Sequence, residues 1–265
     1  MEERFEILER GDQPPLAYCW SVPEAQPTEF AILYLHGFAS DQAGEKASFF
    51  RRASLAAGIP FLSFDFQGHG RSGGSLRELT LSRNLADAAA AHALLCERGF
   101  RKVVVVGSSM GAFTGLWHST FHQDEVLAGL YIAPAVAMAD GFLRFAGPER
   151  AVQWERDGVL TLDNGVTAAE FSWELIEDFR RFSAEELRLR YQTPALILQG
   201  RLDPQVPWRE VVNFATGAAT KEIELHLFAD GDHRLADRKE HLWELMLGFL
   251  RARGWFAEVD RGRST

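Results

Sequence analysis

The chain has 265 residues, 46% hydrophobic and 25% charged, with 28 Lys and Arg against 37 Asp and Glu for a net charge of −9. This composition excludes wholesale disorder, collagen-like repeats and a disulfide-built miniprotein, and the length is enough to bury a large core. The acidic balance lacks the electrostatic footprint of a nucleic-acid binder and works against binding to anionic membranes.

Short apolar runs that end in glycine or a turn recur along the chain: Phe30–Leu35, Pro60–Phe66, Val103–Val106, Leu127–Ile132 and Ala195–Leu198. Apolar on both faces, they are predicted to be buried parallel strands. Glu222–Phe228 adds a further strand, and residues 5–9 and 16–22 can supply an antiparallel edge hairpin. Helices are predicted over Leu79–Arg98, Met110–Phe121, Trp208–Ala219 and Lys239–Arg253, with Gly99 and Gly254 as stops. Strand alternating with helix means an α/β protein with a mostly parallel central sheet flanked by helices.

From Met138 to Gln192 the predicted strands stop, and Phe142, Phe145, Trp154, Phe171, Trp173, Phe179, Phe182 and Tyr191 stand among many charges. A connection of this length exceeds an ordinary loop. It reads as a mainly helical cap insertion over the strand ends, the alternative being one more layer covering the sheet. The expected division is a core of residues 1–137 and 193–257, a cap of 138–192, and a polar tail of 258–265.

Cys19 and Cys96 have no CxxC or metal-type spacing. A disulfide between them stays open, and a reducing compartment is expected. The acidic start, Met1 to Glu6, has neither the basic nor the apolar region of a signal peptide. No apolar run approaches the roughly 20 residues that span a bilayer. The expectation is a cytoplasmic protein without stable membrane insertion; its oligomeric state is not legible.

The pattern G-x-S-x-G occurs at Gly107-Ser108-Ser109-Met110-Gly111 and at Gly70-Arg71-Ser72-Gly73-Gly74. The motif works only as a strained turn between a strand and a helix. Ser109 has a valine strand before it and a helix-compatible run after it, whereas Ser72 lies in a glycine-rich loop. Ser109 is therefore the candidate nucleophile. A serine hydroxyl needs a base to take its proton, and that base needs a carboxylate to orient it. Asp203 follows the Ala195 strand and His233 follows the Glu222 strand, so Ser109, Asp203 and His233 are the candidate catalytic residues. Asp230, Asp232 and Asp237 near His233 read as turn formers, and Asp65 precedes the serine. His92, His118, His122, His226 and His241 fall in helices or mid-strand and read as packed or surface histidines. His118 and His122 stand four apart, as metal ligands can, but the glutamate of H-E-x-x-H is missing, and no metal is assigned.

Acyl transfer also needs N–H donors for a developing oxyanion. The candidates are the backbone N–H groups of Met110, after the nucleophile, and of Phe38, in His36-Gly37-Phe38. His36 reads as a brace for that loop and His69 as a turn residue.

The ordered set of His36-Gly37-Phe38, Phe64 to Ser72, the Gly107–Gly111 turn, Gly200-x-x-Asp203-x-x-Val206-Pro207 and Gly231-Asp232-His233 resembles the α/β-hydrolase superfamily over residues 30–253. Within it, the chain is similar to small serine esterases and thioesterases of the abhydrolase group that includes mycophenolic acid acyl-glucuronide esterase. It also looks like cinnamoyl esterases and monoacylglycerol lipases. The resemblance implies the α/β-hydrolase fold and hydrolysis of a small-molecule ester or thioester, with no cofactor and no nucleic-acid partner. Serine at the nucleophile position, in place of the aspartate of dehalogenases and epoxide hydrolases, implies acyl chemistry. Phe38 and Arg234 are candidate substrate contacts; Arg234 would meet an anionic group or simply pair with Asp230 or Asp237. The alternatives are a proline-iminopeptidase-like aminopeptidase with an acidic subsite at Glu170, Glu174, Glu177 and Asp178, an acyltransferase, and a non-catalytic binding module.

Overall fold

A computed structural model describes residues 5–24, 28–163 and 168–256, so the tail expected at 258–265 lies outside the described residues. An antiparallel hairpin of β1 (Glu6–Arg10) and β2 (Gln13–Ser21) forms one edge of the main sheet. The rest of that sheet is parallel: β3 (Phe30–Leu35), β4 (Phe61–Phe64), β5 (Lys102–Ser108), β6 (Val126–Ile132), β9 (Ala195–Gly200) and β10 (Ile223–Phe228). Their spatial order, β1-β2-β4-β3-β5-β6-β9-β10, brings β3 and β5 to the centre. Every residue of β3, β4 and β9 is buried, which explains why these strands read as unbroken apolar runs.

Alternate residues of each strand feed two cores. Ile32, Val104 and Val106 face one side, under α1 (Glu45–Ala56) and α9 (Lys239–Ala252). Leu33, Val103 and Val105 face the other, under α2 (Leu81–Glu97), α3 (Met110–Phe121) and α8 (Trp208–Gly217). Helix α1 is absent from the sequence expectation. Its mean hydropathy is low, but the parallel pairing of β3 with β4 requires a crossover there.

Between β6 and β9, which pair directly, the chain leaves the sheet. It forms α4 (Met138–Ala146), α5 (Pro148–Asp157), α6 (Glu174–Arg181) and α7 (Ala184–Arg190). The expectation that strands stop here needs correction. Strands β7 (Val159–Asp163) and β8 (Ala168–Ser172) pair antiparallel as a separate two-stranded sheet. Asn164-Gly165, a common hairpin dipeptide, stands between the two runs and was the available signal. The insertion extends the core on the α2 and α3 side of the sheet: Trp154, Phe171, Leu175 and Ile176 are buried in that same cluster, and the Trp154 indole donates to the Phe171 carbonyl at 2.9 Å. It is anchored by Phe179 stacked on Phe113 of α3, and by Asp178 accepting from the backbone and hydroxyl of Ser82 on α2.

Candidate active site

Ser109 sits between β5 and α3 at φ 55°, ψ −114°, a strained conformation for a residue with a side chain. The turn closes because residue 111 is glycine: a Cβ there would lie 2.2 Å from the Leu35 carbonyl oxygen of the central neighbour strand. The strain is held by a hydrogen bond from the Ser109 N–H to the Ile132 carbonyl, at 2.8 Å. The serine side chain is thereby pushed out at the C-terminal ends of the parallel strands.

The structure brings Ser109, Asp203 and His233 together across 124 and 30 residues of chain. His233 Nε2 lies 3.1 Å from Ser109 Oγ, and His233 Nδ1 lies 2.7 Å from Asp203 Oδ2. Because the carboxylate accepts from Nδ1–H, Nε2 is left as the acceptor facing the serine. Burial would raise the pKa of Asp203. The hydrogen bond from His233 and the N–H groups of Val206 and Gln205 outweigh it and hold the carboxyl below its ordinary range. Gln199 Nε2 also donates to Asp203 Oδ2, at 3.2 Å. The loop carrying His233 is braced by Asp232, which accepts from the N–H groups of Arg234 and Leu235. It packs so closely on the end of β9 that a Cβ at Gly200 would lie 2.3 Å from the Asp232 carbonyl oxygen.

Met110 N–H opens α3, where the helix dipole favours negative charge. Phe38 lies in the loop after β3, and neither its N–H nor that of Met110 donates to another group among the described residues. His36 braces this loop from a fully buried position. Its Nε2 accepts from Phe66 N–H at 3.0 Å, so its Nδ1–H donates to the Gly37 carbonyl at 2.8 Å. Burial lowers its pKa to about 3 and keeps it neutral.

A cavity of about 560 Å³ opens onto Ser109, lined by Phe38, Met138, Phe142, Leu162 and Val206. Phe38, Phe142 and Phe171 form an aromatic trio with centroid separations of 5.3, 5.7 and 6.0 Å, tying the loop after β3 to the insertion. At the rim, Arg144 and Glu210 pair at 3.5 Å.

Other sequence candidates go elsewhere. Ser72 is a structural serine: its hydroxyl donates to the Asp65 carbonyl and accepts from Ala17 N–H. Asp65 accepts from Gln42 and from Arg71 N–H. Arg234 is exposed and does not line the cavity. The expected pairing of Arg234 with Asp230 or Asp237 is also corrected, because Arg238 takes both carboxylates. Glu170 pairs with Arg77, Asp178 is used by Ser82, and Glu174 and Glu177 are exposed; none of the four lines the cavity.

Lys46 is a residue that sequence reasoning missed. From α1 its ammonium donates to Ser108 Oγ at 2.9 Å and to the Arg234 carbonyl at 3.0 Å, joining the nucleophile turn to the histidine loop. Burial is the main cause of its low pKa, about 8, partly offset by Asp232 and Asp203. The contacts reach 62 and 188 residues along the chain, and no local pattern announces them.

Residues 32–259 match the alpha/beta hydrolase family, and the chain belongs to that family. It is therefore a hydrolase on the fold and strand-end architecture described above. Among curated proteins it is similar to the mitochondrial palmitoyl-protein thioesterase ABHD10 of Mus musculus. The two are 25% identical over 240 residues, which cover 88% of this chain and 77% of that protein. Among solved structures, a protein from Agrobacterium vitis S4 superposes with a TM-score of 0.80 at 25% identity, covering 94% of this chain and 98% of that one. Est1E from Butyrivibrio proteoclasticus, solved with ferulic acid, shares the fold with a TM-score of 0.79 at 19% identity, over 93% of this chain and 99% of that one. No helix among the described residues is long and apolar enough to cross a membrane.

Proposed function

We propose that this chain is a serine hydrolase that cleaves carboxylic esters or thioesters of small to medium apolar acyl or aryl groups through an acyl-enzyme. The observation that carries the reading is the hydrogen-bonded line Ser109–His233–Asp203 at the mouth of an apolar cavity. The names of the relatives, a palmitoyl-protein thioesterase and an Est1E structure with ferulic acid bound, support it.

In this mechanism His233 Nε2 takes the proton of Ser109 as Oγ attacks the substrate carbonyl. Asp203 holds the imidazole in the required tautomer and stabilises the imidazolium. The N–H groups of Phe38 and Met110 donate hydrogen bonds to the carbonyl oxygen and stabilise the negative charge that develops there. His233 then gives its proton to the leaving alcohol or thiol. Water repeats the cycle, frees the acid and restores Ser109. Residues 138–192 act as a cap that shapes the acyl pocket over a core of 1–137 and 193–257. A reducing compartment, with the cytoplasm as the proposed one, fits the free thiols of Cys19 and Cys96.

The test is labelling with a fluorophosphonate probe, followed by turnover of matched esters, thioesters and aminoacyl amides. Labelling that is lost in Ser109→Ala, with ester or thioester turnover above amide turnover, supports the reading. Labelling that persists in Ser109→Ala refutes the nucleophile, and faster amide turnover favours the aminopeptidase.

A further inference from the structure

We propose that the C-terminal end of α3 carries a binding site for a divalent transition-metal ion of the zinc class, with His92, His122 and Glu125 as its protein ligands. One ligand atom from each of these residues lies within 4.8 Å of the other two. The site lies well away from the nucleophile. Ser109 stands at the start of α3 and His122 at its end, so the helix separates them by about 18 Å.

His92 supplies the independent reason to expect a ligand. It is 2% exposed, its Nδ1 lies 3.0 Å from His118 Nε2, and its Nε2 is buried without any hydrogen-bond partner. A buried polar atom left unpaired is uncommon and calls for a partner. In the proposed site His118, 1% exposed, acts as the acceptor at its Nε2, so that His92 donates from Nδ1–H and keeps its own Nε2 lone pair for the ion. Such a hydrogen bond behind a ligating histidine is the usual way a metal site orients its ligand.

The other two ligands face solvent, which gives an ion access. His122 Nδ1 and Glu125 Oε2 are 2.9 Å apart, with side chains 33% and 48% exposed. The turn that carries them is fixed, because the His122 carbonyl accepts from both Glu125 N–H and Val126 N–H. An ion at this position takes the place of the shared proton. Tetrahedral zinc ligands stand roughly 3.4 Å apart, so small side-chain rotations close the shell, with water in the fourth position. Two imidazoles and a carboxylate suit zinc, cobalt or nickel better than magnesium or calcium. The negative end of the α3 dipole adds to the attraction. The i, i+4 pair weighed in the sequence, His118 and His122, is thus divided: His122 ligates, and His118 supports His92 on the neighbouring helix. The ion would clamp α2 to the far end of the nucleophile helix and would not touch the reacting carbonyl.

The test uses the untagged full chain, stripped with a chelator and titrated with zinc by calorimetry, with cobalt(II) absorption as a report on the ligands. The expected result is one ion per chain, a rise in melting temperature on binding, and ester turnover changed less than twofold. His122→Ala and Glu125→Gln, both at positions reached by solvent, should each weaken binding at least about tenfold while the stripped proteins keep the wild-type melting temperature. His92→Gln should do the same, and the other two variants keep the test valid if that buried change unfolds the chain. Stripped wild type that binds no zinc, or zinc binding of undiminished strength in His122→Ala and Glu125→Gln, would overturn the site. Loss of turnover on stripping would overturn its remote, structural placement.

Discussion

Ser109, Asp203 and His233 stand on turns after β5, β9 and β10, whereas Phe142, Phe145 and Leu162 reach the same cavity from the inserted helices and hairpin. The first group is fixed by backbone: a strained φ, glycines with no room for a Cβ, and carbonyls that meet N–H groups across the sheet. The second group is fixed by side-chain packing, around Trp154 and Phe171 and onto Phe113. Among the described residues, the insertion also carries the three most exposed large apolar side chains, Phe145, Val152 and Leu189. Backbone geometry tolerates little change, while apolar packing accepts substitutions of similar volume. On the proposed reading, the core sets the chemistry and the insertion the choice of acyl group.

The largest expected effect tests the core side. Ser109→Ala should lower ester turnover by at least about a thousandfold and leave the melting temperature within a few degrees. Asp203→Asn should cost about 10³ to 10⁴ in kcat, since it leaves the imidazole in the wrong tautomer. A steady-state assay in which either variant keeps a tenth of wild-type activity breaks the assignment.

Lys46→Met sits between the two regimes, because it removes the tie between the nucleophile turn and the histidine loop without touching substrate. It should lower kcat about tenfold with KM nearly unchanged, and Lys46→Arg should recover part of the loss. A change in KM alone would place Lys46 outside this role. On the insertion side, Phe142→Ala should shift the preferred acyl length upward and change kcat/KM by roughly tenfold, with probe labelling of Ser109 retained. Equal losses across a graded acyl series would break the division of labour.

Acid offers a smaller test of the same contrast, because the insertion contains no histidine. His36, with a pKa of about 3, and His92, at about 4, stay neutral in the folded core, whereas their unfolded counterparts protonate near 6.5. Below that value the unfolded chain binds more protons, so stability falls as the pH drops from 6.5 toward 4. At pH 5 His36 and His92 each remove about 2 kcal/mol. Urea midpoints at neutral pH and at pH 5 read this loss, and His92→Gln should remove only the His92 share of it while that of His36 remains. A midpoint that does not move would contradict neutral burial.

The parallel strands and the turn around Ser109 were legible because each is written in adjacent residues: a valine run, glycines at fixed offsets, and an apolar segment before each polar site residue. Helix α1 and the β7–β8 hairpin were not. Their own patterns are weak, and what defines them is the crossover between β3 and β4 and the burial of Leu160 and Phe171. Arg234 was misjudged for a related reason: nearness to His233 in the chain says nothing about which side of the loop an arginine takes, and Arg238 occupies the carboxylates.

By itself the sequence determined the α/β alternation, the order of serine, aspartate and histidine, and a net acidic charge. These depend on local periodicity, spacing and charge count. Only the tertiary structure decided that Lys46 bridges two loops, that Phe38 meets Phe142 and Phe171, and that His92 faces His118, His122 and Glu125 across two helices. Those contacts join residues far apart in the chain, and their geometry follows from how the helices pack on the sheet.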